Sequence, residues 1–198
     1  MKIELIGQHT MIFGLKGVGK SNLVAHILRQ PQYQNAIVYD VCREHGTGDA
    51  DRIIPDHRSG DDATQEFDQA LRAIVTENDR DRRPDLFIGE EVSRYAPNSG
   101  KVPPSLMDLV DLNRHYGTGF VGVSRRPAQV ATDLVELADN LIIFKVRGKN
   151  DHRRLEREVD ALGDAARDLD LYEFLVVDKR REWERHAPVA EYDTTGEL

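Results

Sequence analysis

The sequence predicts an α/β fold in which a mainly parallel sheet is flanked by helices on both faces. Short apolar runs typical of buried strands alternate with segments in which apolar residues recur at helical spacing. A Gly-rich stretch at residues 14–21 joins the first of these strands to the first of these helices. The 198 residues contain no evident linker, so we expect one domain spanning 1–198. In such folds, ligands bind at the carboxyl ends of the strands.

The elements can be assigned in order along the chain. Residues 1–10 could form an edge strand, and 11–13 are the apolar strand before the Gly-rich stretch. The helix after that stretch ends before Pro31, because proline cannot continue a helix. The polar segment 42–60 is expected to be irregular. The other predicted strands are 36–40, 85–89, 120–124, 141–146 and 172–177, and the other predicted helices are 67–75, 106–112, 127–137 and 151–169, followed by a polar tail.

The Gly-rich stretch reads Gly-Leu-Lys-Gly-Val-Gly-Lys-Ser, which fits the G-x-x-x-x-G-K-[ST] pattern of a nucleotide-phosphate cradle. Glycines let successive backbone N–H groups point at the phosphates, and the helix N-terminus adds partial positive charge. We expect Lys20 to reach the β- and γ-phosphates and the Ser21 hydroxyl to ligate Mg²⁺. The flanking strand and helix argue against a chance Gly-rich turn. The predicted nucleotide-binding residues are Gly14, Leu15, Lys16, Gly17, Val18, Gly19, Lys20, Ser21 and Asn22.

Two adjacent acids, Glu90 and Glu91, directly follow the predicted strand at 85–89. The carboxyl ends of parallel strands meet at one edge of a sheet, so both carboxylates should lie beside the cradle. Glu90 could hold the Mg²⁺ shell, and Glu91 could orient or deprotonate an attacking water. The alternative is that the pair only caps the following segment. The cradle favours the catalytic interpretation, because nucleotide hydrolysis needs positioned acids.

Arginines could neutralise charge on the departing phosphate. Arg114 lies at the end of the helix before the strand at 120–124, and Arg125 and Arg126 follow that strand. Arginines near the catalytic edge can act as fingers on the γ-phosphate, from the same subunit or from a neighbour. Helix ends and protein surfaces also favour arginine, so a structural role stays equally open.

Composition excludes several classes of protein. The net charge of −8 argues against a protein that coats nucleic acid with its whole surface, so any DNA contact should be local. Cys42 is the single cysteine, which rules out an intrachain disulfide and disfavours a cysteine-based metal site. No apolar run approaches the length of a membrane span, and the first residues lack a signal-peptide pattern. We therefore expect a protein that is not secreted and has no transmembrane segment.

Three sequence blocks, residues 14–21, 86–97 and 113–127, together resemble the FtsK–HerA superfamily of DNA-pumping ATPases in order and spacing. The compact size is most similar to the genome-packaging ATPases of tailless viruses with an internal membrane. The resemblance covers a core at 11–146, about two-thirds of the chain, and leaves 147–198 undiagnosed. It implies an additional-strand catalytic-glutamate P-loop NTPase fold of the RecA/FtsK-like type. It also implies ATP and Mg²⁺ as ligands and a homo-oligomeric ring, expected to be a hexamer, around double-stranded DNA.

The resemblance also suggests roles for individual residues. Glu90 stands where the family has its Walker B aspartate, and Glu91 where it has its catalytic glutamate. Arg114 falls on the arginine of an R-x-x-G segment, which in the family is a finger toward the neighbouring subunit's nucleotide. The family's T-Q-R-P block is replaced here by Ser124-Arg-Arg-Pro, so Arg125 occupies the position of the polar sensor glutamine. Ser124 is a candidate to substitute in part for that sensor.

DNA contacts and partners are the least constrained. Lys101, Arg147 and Lys149 are candidates for phosphate contacts in a pore, although basic runs are more often solvated surface. The resemblance implies a translocase that packages a viral genome into a preformed capsid. Such a protein would act in the host cytoplasm during assembly and at the packaging vertex of the virion, where a capsid or membrane protein could bind it. The alternatives are a cellular or plasmid HerA-like translocase, a small-molecule kinase and a non-catalytic nucleotide-binding assembly factor.

Overall fold

A computed structural model describes residues 4–43 and 50–190, which form eight strands and six α-helices. The strands are β1 His9–Phe13, β2 Ala36–Tyr39, β3 Asp51–Ile53, β4 Leu86–Gly89, β5 Gly119–Ser124, β6 Asn140–Phe144, β7 Phe174–Val177 and β8 Trp183–His186. The helices are α1 Lys20–Leu28, α2 Gly60–Val75, α3 Pro104–Tyr116, α4 Thr132–Glu136, α5 Lys149–Glu158 and α6 Leu162–Arg167. Short 3₁₀ turns lie at Pro31–Tyr33, Arg80–Arg82, Val92–Arg94 and Pro127–Gln129.

All eight strands belong to one sheet with the order β3-β2-β4-β5-β1-β6-β7-β8 among the described residues. Strands β1 to β6 run parallel, and β7 and β8 are antiparallel additions beyond β6. The mainly parallel α/β sheet predicted from the sequence is therefore confirmed. The central strand β1 pairs with β5 and β6, so its carboxyl end, where the cradle begins, lies in the middle of the sheet edge.

Helices cover both faces of the sheet. Successive residues of a strand point to opposite faces, so each central strand contributes to the core on both sides. Met11 and Phe13 join a core cluster with apolar residues of α2 to α6, whereas Ile12 joins a second cluster with residues of α1. All five residues of β1 are buried. This double burial explains why the central strands are continuous apolar runs in the sequence.

Two predictions near the chain start are wrong. Of the predicted edge strand, residues 4–8 form no strand, because Gly7 turns the chain at φ 65°, and residues 9–10 belong to the central strand β1. Within the segment predicted to be irregular, β3 pairs with β2 as a short edge strand. The strand is only partly buried and carries Arg52, which forms an ion pair with the buried Asp40 at 3.3 Å. The rest of that prediction includes residues 44–49, which lie outside the described residues.

Three predictions in the second half also need correction. The predicted helix at 127–137 is a 3₁₀ turn followed by the short α4, because Val130 is extended and pairs with Pro97. The predicted helix at 151–169 is divided into α5 and α6 by Ala161, which adopts φ 64°. The polar tail contains β8, whose first three residues are exposed and therefore show no apolar alternation.

Candidate functional site

The Gly-rich loop leaves β1 at the carboxyl edge of the sheet and enters α1 at Lys20. Gly19, at the N-cap, adopts φ 104°, a left-handed conformation that glycine accepts without strain. Gly14 packs so closely on β6 that an added Cβ would lie 2.6 Å from the Phe144 Cβ atom. Local geometry therefore requires glycine at both positions, as the phosphate-cradle pattern predicts.

Backbone hydrogen bonds anchor the loop to both neighbouring strands. The amide of Gly14 donates to the carbonyl of Ser124 at 3.3 Å, and the amide of Leu15 donates to the carbonyl of Lys145 at 3.1 Å. The Lys20 ammonium donates to the carbonyls of Gly14 and Leu15 at 2.8 and 2.9 Å. The loop thus holds its positive charge on its own backbone, at the mouth of α1, where a phosphate chain would bind.

A cavity of about 570 Å³ lies against this loop, a size that suits a small-molecule ligand such as a nucleotide. Six of the nine predicted nucleotide-binding residues line it: Lys16, Gly17, Gly19, Lys20, Ser21 and Asn22. The other three do not. Val18 is buried in the core, and Gly14 and Leu15 contribute through the carbonyls that hold Lys20.

Glu90 and Glu91 line the same cavity, as their position after β4 predicted. Glu90 is only 6% exposed. Glu91 adopts φ 53° and ψ 42°, a left-handed conformation that costs on the order of 1–3 kcal/mol for a residue other than glycine. The chain turns sharply here into the 3₁₀ turn Val92–Arg94, and the strained turn leaves the Glu91 carboxylate at the cavity wall.

Arg125 forms an ion pair with Glu91 on the same side of the cavity. Its Nε donates to a carboxylate oxygen of Glu91 at 2.7 Å, within the range of a charge-assisted hydrogen bond. The arginine side chain is 47% exposed, and the glutamate side chain is 13% exposed. Ser124, at the end of β5, is buried, and its Oγ has no hydrogen-bond partner among the described residues. The ion pair with Arg125 occupies one carboxylate oxygen of Glu91.

Arg126 points elsewhere and has a structural role. Its Nε donates at 3.0 Å to Asp151, which is 2% exposed and also accepts the amide of Ala128 at 3.2 Å. This cluster fastens the segment after β5 to the start of α5. Two adjacent arginines that look alike in the sequence therefore differ: Arg125 lines the cavity and Arg126 does not.

Arg114, for which a finger in its own subunit and a finger toward a neighbour were both left open, does not lie near the catalytic edge of its own subunit. Helix α3 returns from the carboxyl end of β4 to the amino end of β5, so its last turn lies at the opposite edge of the sheet. There Arg114 lies 3.5 Å from Asp139, the residue before β6. The six residues of β5 span about 17 Å. The 73% exposed Arg114 side chain therefore lies at the sheet edge opposite the cradle of its own subunit.

The three candidate DNA contacts, Lys101, Arg147 and Lys149, are all exposed. Lys101 lies in the segment between β4 and α3, Arg147 follows β6, and Lys149 begins α5. All three lie outside the cavity. None of the helices within residues 4–43 and 50–190 is both long and apolar enough to cross a bilayer.

Comparison with known proteins places this geometry in context. No protein-family model and no curated protein sequence matches the chain. The structure is similar to the genome packaging NTPase B204 from Sulfolobus turreted icosahedral virus 2. The complex with sulfate gives a TM-score of 0.77 and 19% identity, covering 93% of this chain and 98% of that one. The complex with AMPPCP gives a TM-score of 0.75 and 21% identity, with the same coverage of both chains. The chain has the fold of a P-loop NTPase.

The P-loop NTPase fold extends to more distant neighbours. The structure of EccC (ATPases 2 and 3) from Thermomonospora curvata gives a TM-score of 0.59 and 16% identity, covering 94% of this chain and 37% of that one. The resemblance that three sequence blocks predicted is thus confirmed at the level of fold, including the segment after residue 146 that they left undiagnosed.

Sequence reasoning missed part of the P-loop NTPase cavity. Phe144, Tyr172, Pro188 and Val189 line it together with Cys42, although no motif marks them. Four of these five come from the end of β6 and from the segments around β7 and β8. The aromatic and apolar character of this part of the wall contrasts with the charged part formed by Glu91 and Arg125.

Proposed function

We propose that the chain is an ATPase that drives double-stranded DNA into a viral capsid. The observation that carries the proposal is the single cavity in which the cradle lysine, Lys20, and two adjacent acids, Glu90 and Glu91, meet. The fold shared with a genome packaging NTPase supports the assignment. The negative net charge is compatible with it, because a ring can confine its positive charge to the channel.

The cradle would bind the triphosphate of ATP. Backbone amides of residues 17–21 and the Lys20 ammonium would contact the phosphate oxygens, and Lys20 would exchange two loop carbonyls for them. The Ser21 hydroxyl and the Glu90 carboxylate fit Mg²⁺, because both line the cavity and both offer the oxygen ligands that it prefers. When bound, Mg²⁺ supplies charge neutralisation at the β- and γ-phosphates.

Glu91 would act as the general base. It would accept a proton from the water that attacks the γ-phosphate, and this requires a free carboxylate oxygen directed at that water. The ion pair with Arg125 occupies one oxygen at 2.7 Å. Because this pair would also fix the direction of the second oxygen, we assign Arg125 the role of a restraint, which must release Glu91 before that oxygen can turn toward the water. Ser124, whose buried hydroxyl lies one residue away at the end of β5, is a candidate to register this change.

Arg114 would complete the site of a neighbouring subunit. It is exposed at the sheet edge opposite the cradle, so a head-to-tail ring would bring it toward the next subunit's γ-phosphate. We propose a hexamer with DNA in its centre, in which Lys101, Arg147 and Lys149 contact DNA phosphates. A capsid or membrane protein at the packaging vertex would hold the ring on the particle.

The deciding experiment is a hydrolysis assay on the purified oligomer with and without duplex DNA, repeated over a range of salt. We expect DNA to raise the ATPase rate, with a stimulation that falls as salt weakens the phosphate contacts. The Glu91→Gln variant is the control for contaminating ATPases. Equal rates with and without duplex at every salt concentration would rule out the motor.

A further inference from the structure

The strand order gives the cavity two chemically different sides. On one side of the central β1 lie β5 and β4, whose carboxyl ends supply Arg125, Glu90 and Glu91. On the other side lie β6, β7 and β8, which bring Phe144, Tyr172 and the segment 187–190 to the same edge. A ligand anchored on the cradle between them therefore meets charged groups in one direction and apolar groups in the other.

Tyr172 lies directly on the cradle. A Cβ added at Gly19 would be 3.3 Å from the Tyr172 Cδ1 atom and 3.4 Å from the Phe144 Cε1 atom, so both rings are seated against this glycine. Tyr172 adopts φ 69°, a backbone conformation that bulky residues rarely adopt. Even so, 48% of this large aromatic residue is exposed, and it lines the cavity. The core does not account for its position.

The loop that carries Tyr172 is held in place on both sides. The ammonium of Lys145, the residue after β6, donates to the carbonyl of Leu169 at 2.7 Å. Arg185 of β8 donates to the Glu173 carboxylate at 3.1 Å and to the carbonyl of Asp168 at 3.1 Å. A ring held by such contacts offers a rigid surface, and a ligand that binds it loses little entropy by ordering it.

The segment 187–190 closes the same side of the cavity. His186 pairs with Phe174 at the start of β7, so the chain leaves β8 at the cradle edge. The Asn22 amide nitrogen, in the first turn of α1, donates to the carbonyl of Ala190 at 2.9 Å. Pro188 and Val189 line the cavity between these two points. The end of the described chain is thus fastened beside the cradle.

We propose that Tyr172, with Pro188 and Val189, forms the binding site for the base of the nucleotide. This inference rests on the proposed function to the extent that a nucleotide occupies the cradle. If the terminal phosphate lies toward Glu91, the nucleoside must extend to the opposite side, where the exposed wall is aromatic and apolar. Every base has a flat π-face that stacks on an aromatic ring, and purines offer the larger face. The expected ligand class is a purine nucleotide.

A purely structural role for Tyr172 makes a different prediction. If the ring only supported Gly19, its loss would disturb the cradle and weaken every phosphate ligand equally. If the ring contacts the base, its loss should weaken nucleotides and spare a ligand that has phosphates alone. The two roles can therefore be separated by comparing ADP with inorganic tripolyphosphate.

The test is calorimetric titration of the full chain with ADP, CDP and tripolyphosphate in the presence of Mg²⁺. We expect Tyr172→Ala to weaken ADP binding by about 5- to 100-fold, the range that loss of one stacked base gives, and to reduce the preference for ADP over CDP. Tripolyphosphate affinity should change by less than about twofold, and Tyr172→Phe should bind ADP as the wild type does. Leu171→Ala is the matched control, because Leu171 is exposed and lies outside the cavity.

A second variant keeps the test valid if Tyr172→Ala fails to fold. Tyr172→Gly removes the ring and accepts φ 69° without strain, so it should fold even if the alanine variant does not. Unchanged ADP affinity in the truncated variants, or an equal loss for ADP and tripolyphosphate, would overturn the base site. If the wild type binds ADP with a Tyr172-dependent affinity but DNA never stimulates hydrolysis, only the motor is refuted. If the wild type binds no ADP, both proposals fail.

Discussion

Replacing Arg125 with glutamine tests whether its ion pair with Glu91 restrains hydrolysis. The substitution removes the charged guanidinium that lies 2.7 Å from the carboxylate and keeps a shorter polar side chain. If Glu91 is the base, the pair must open in every catalytic cycle. The free energy of opening then adds to the activation barrier in the absence of DNA, and its removal should raise the basal rate.

The size of the effect follows from the geometry of the pair. Exposed ion pairs contribute about 0.2–1 kcal/mol, because water and salt screen them. Arg125 is 47% exposed but Glu91 only 13%, which places this pair near the upper end, at about 1 kcal/mol. Since about 1.4 kcal/mol corresponds to a tenfold change in rate, we expect Arg125→Gln to raise the basal kcat by about two- to fivefold.

The assay is steady-state phosphate release at saturating ATP and Mg²⁺, without DNA, for the wild type and the variant. Arg72→Gln is the matched control, because it makes the same charge change on the exposed surface of α2, outside the cavity. An unchanged basal kcat would refute the restraint. A decrease of tenfold or more would instead assign Arg125 to the charge that develops on the γ-phosphate.

Three further results are expected. Lys20→Ala should weaken ATP binding and abolish turnover, whereas Glu91→Gln should keep ATP bound and lower kcat by about 10²- to 10⁴-fold; equal ATP affinity losses in a filter-binding assay would contradict the assigned roles. Mixing Arg114→Ala with Glu91→Gln subunits should restore part of the activity that each variant lacks, because one type of interface is then intact, and failure to recover any activity would leave Arg114 without a role in the neighbouring site. Burial, and secondarily Arg181, lowers the pKa of His9 from 6.5 to about 3, so the unfolded chain takes up a proton below pH 6.5 that the folded chain does not. This residue should therefore lower the free energy of unfolding by about 1.4 kcal/mol for each unit by which the pH falls from 6 to 4. Chemical denaturation at several pH values should show that the unfolding free energy of a His9→Phe variant depends less steeply on pH.

The parts of the site that the sequence predicted correctly depend on local pattern and one rule of topology. The cradle follows from the spacing of glycines, and Glu90 and Glu91 follow from their position directly after a buried strand. Parallel strands bring both to the same edge without any knowledge of the helices. The structure confirms this meeting in one cavity.

The wrong and the undecided predictions have identifiable physical causes. The sequence left open whether Arg114 serves its own subunit or a neighbour, although a helix that joins two parallel strands must run back to their amino ends, away from the catalytic edge. The exposed strand β8 carries no alternation of apolar residues, so its pairing with β7 decides its structure. Ala161 and Tyr172 adopt left-handed conformations without the glycine that usually marks them. Tertiary contacts determine these features, and a single sequence does not display them.

The two amides that fasten the Gly-rich loop have a mechanical consequence. Gly14 is tied to Ser124 and Leu15 to Lys145, so the phosphate seat and the tips of two adjacent strands form a stiff unit. If ATP is cleaved here, a stiff phosphate seat would not absorb the change in phosphate position by deforming locally. We expect the backbone to move instead one or two residues downstream, where the chain leaves the sheet at Arg125 and Arg147. A change at the nucleotide would then produce a larger movement at the protein surface.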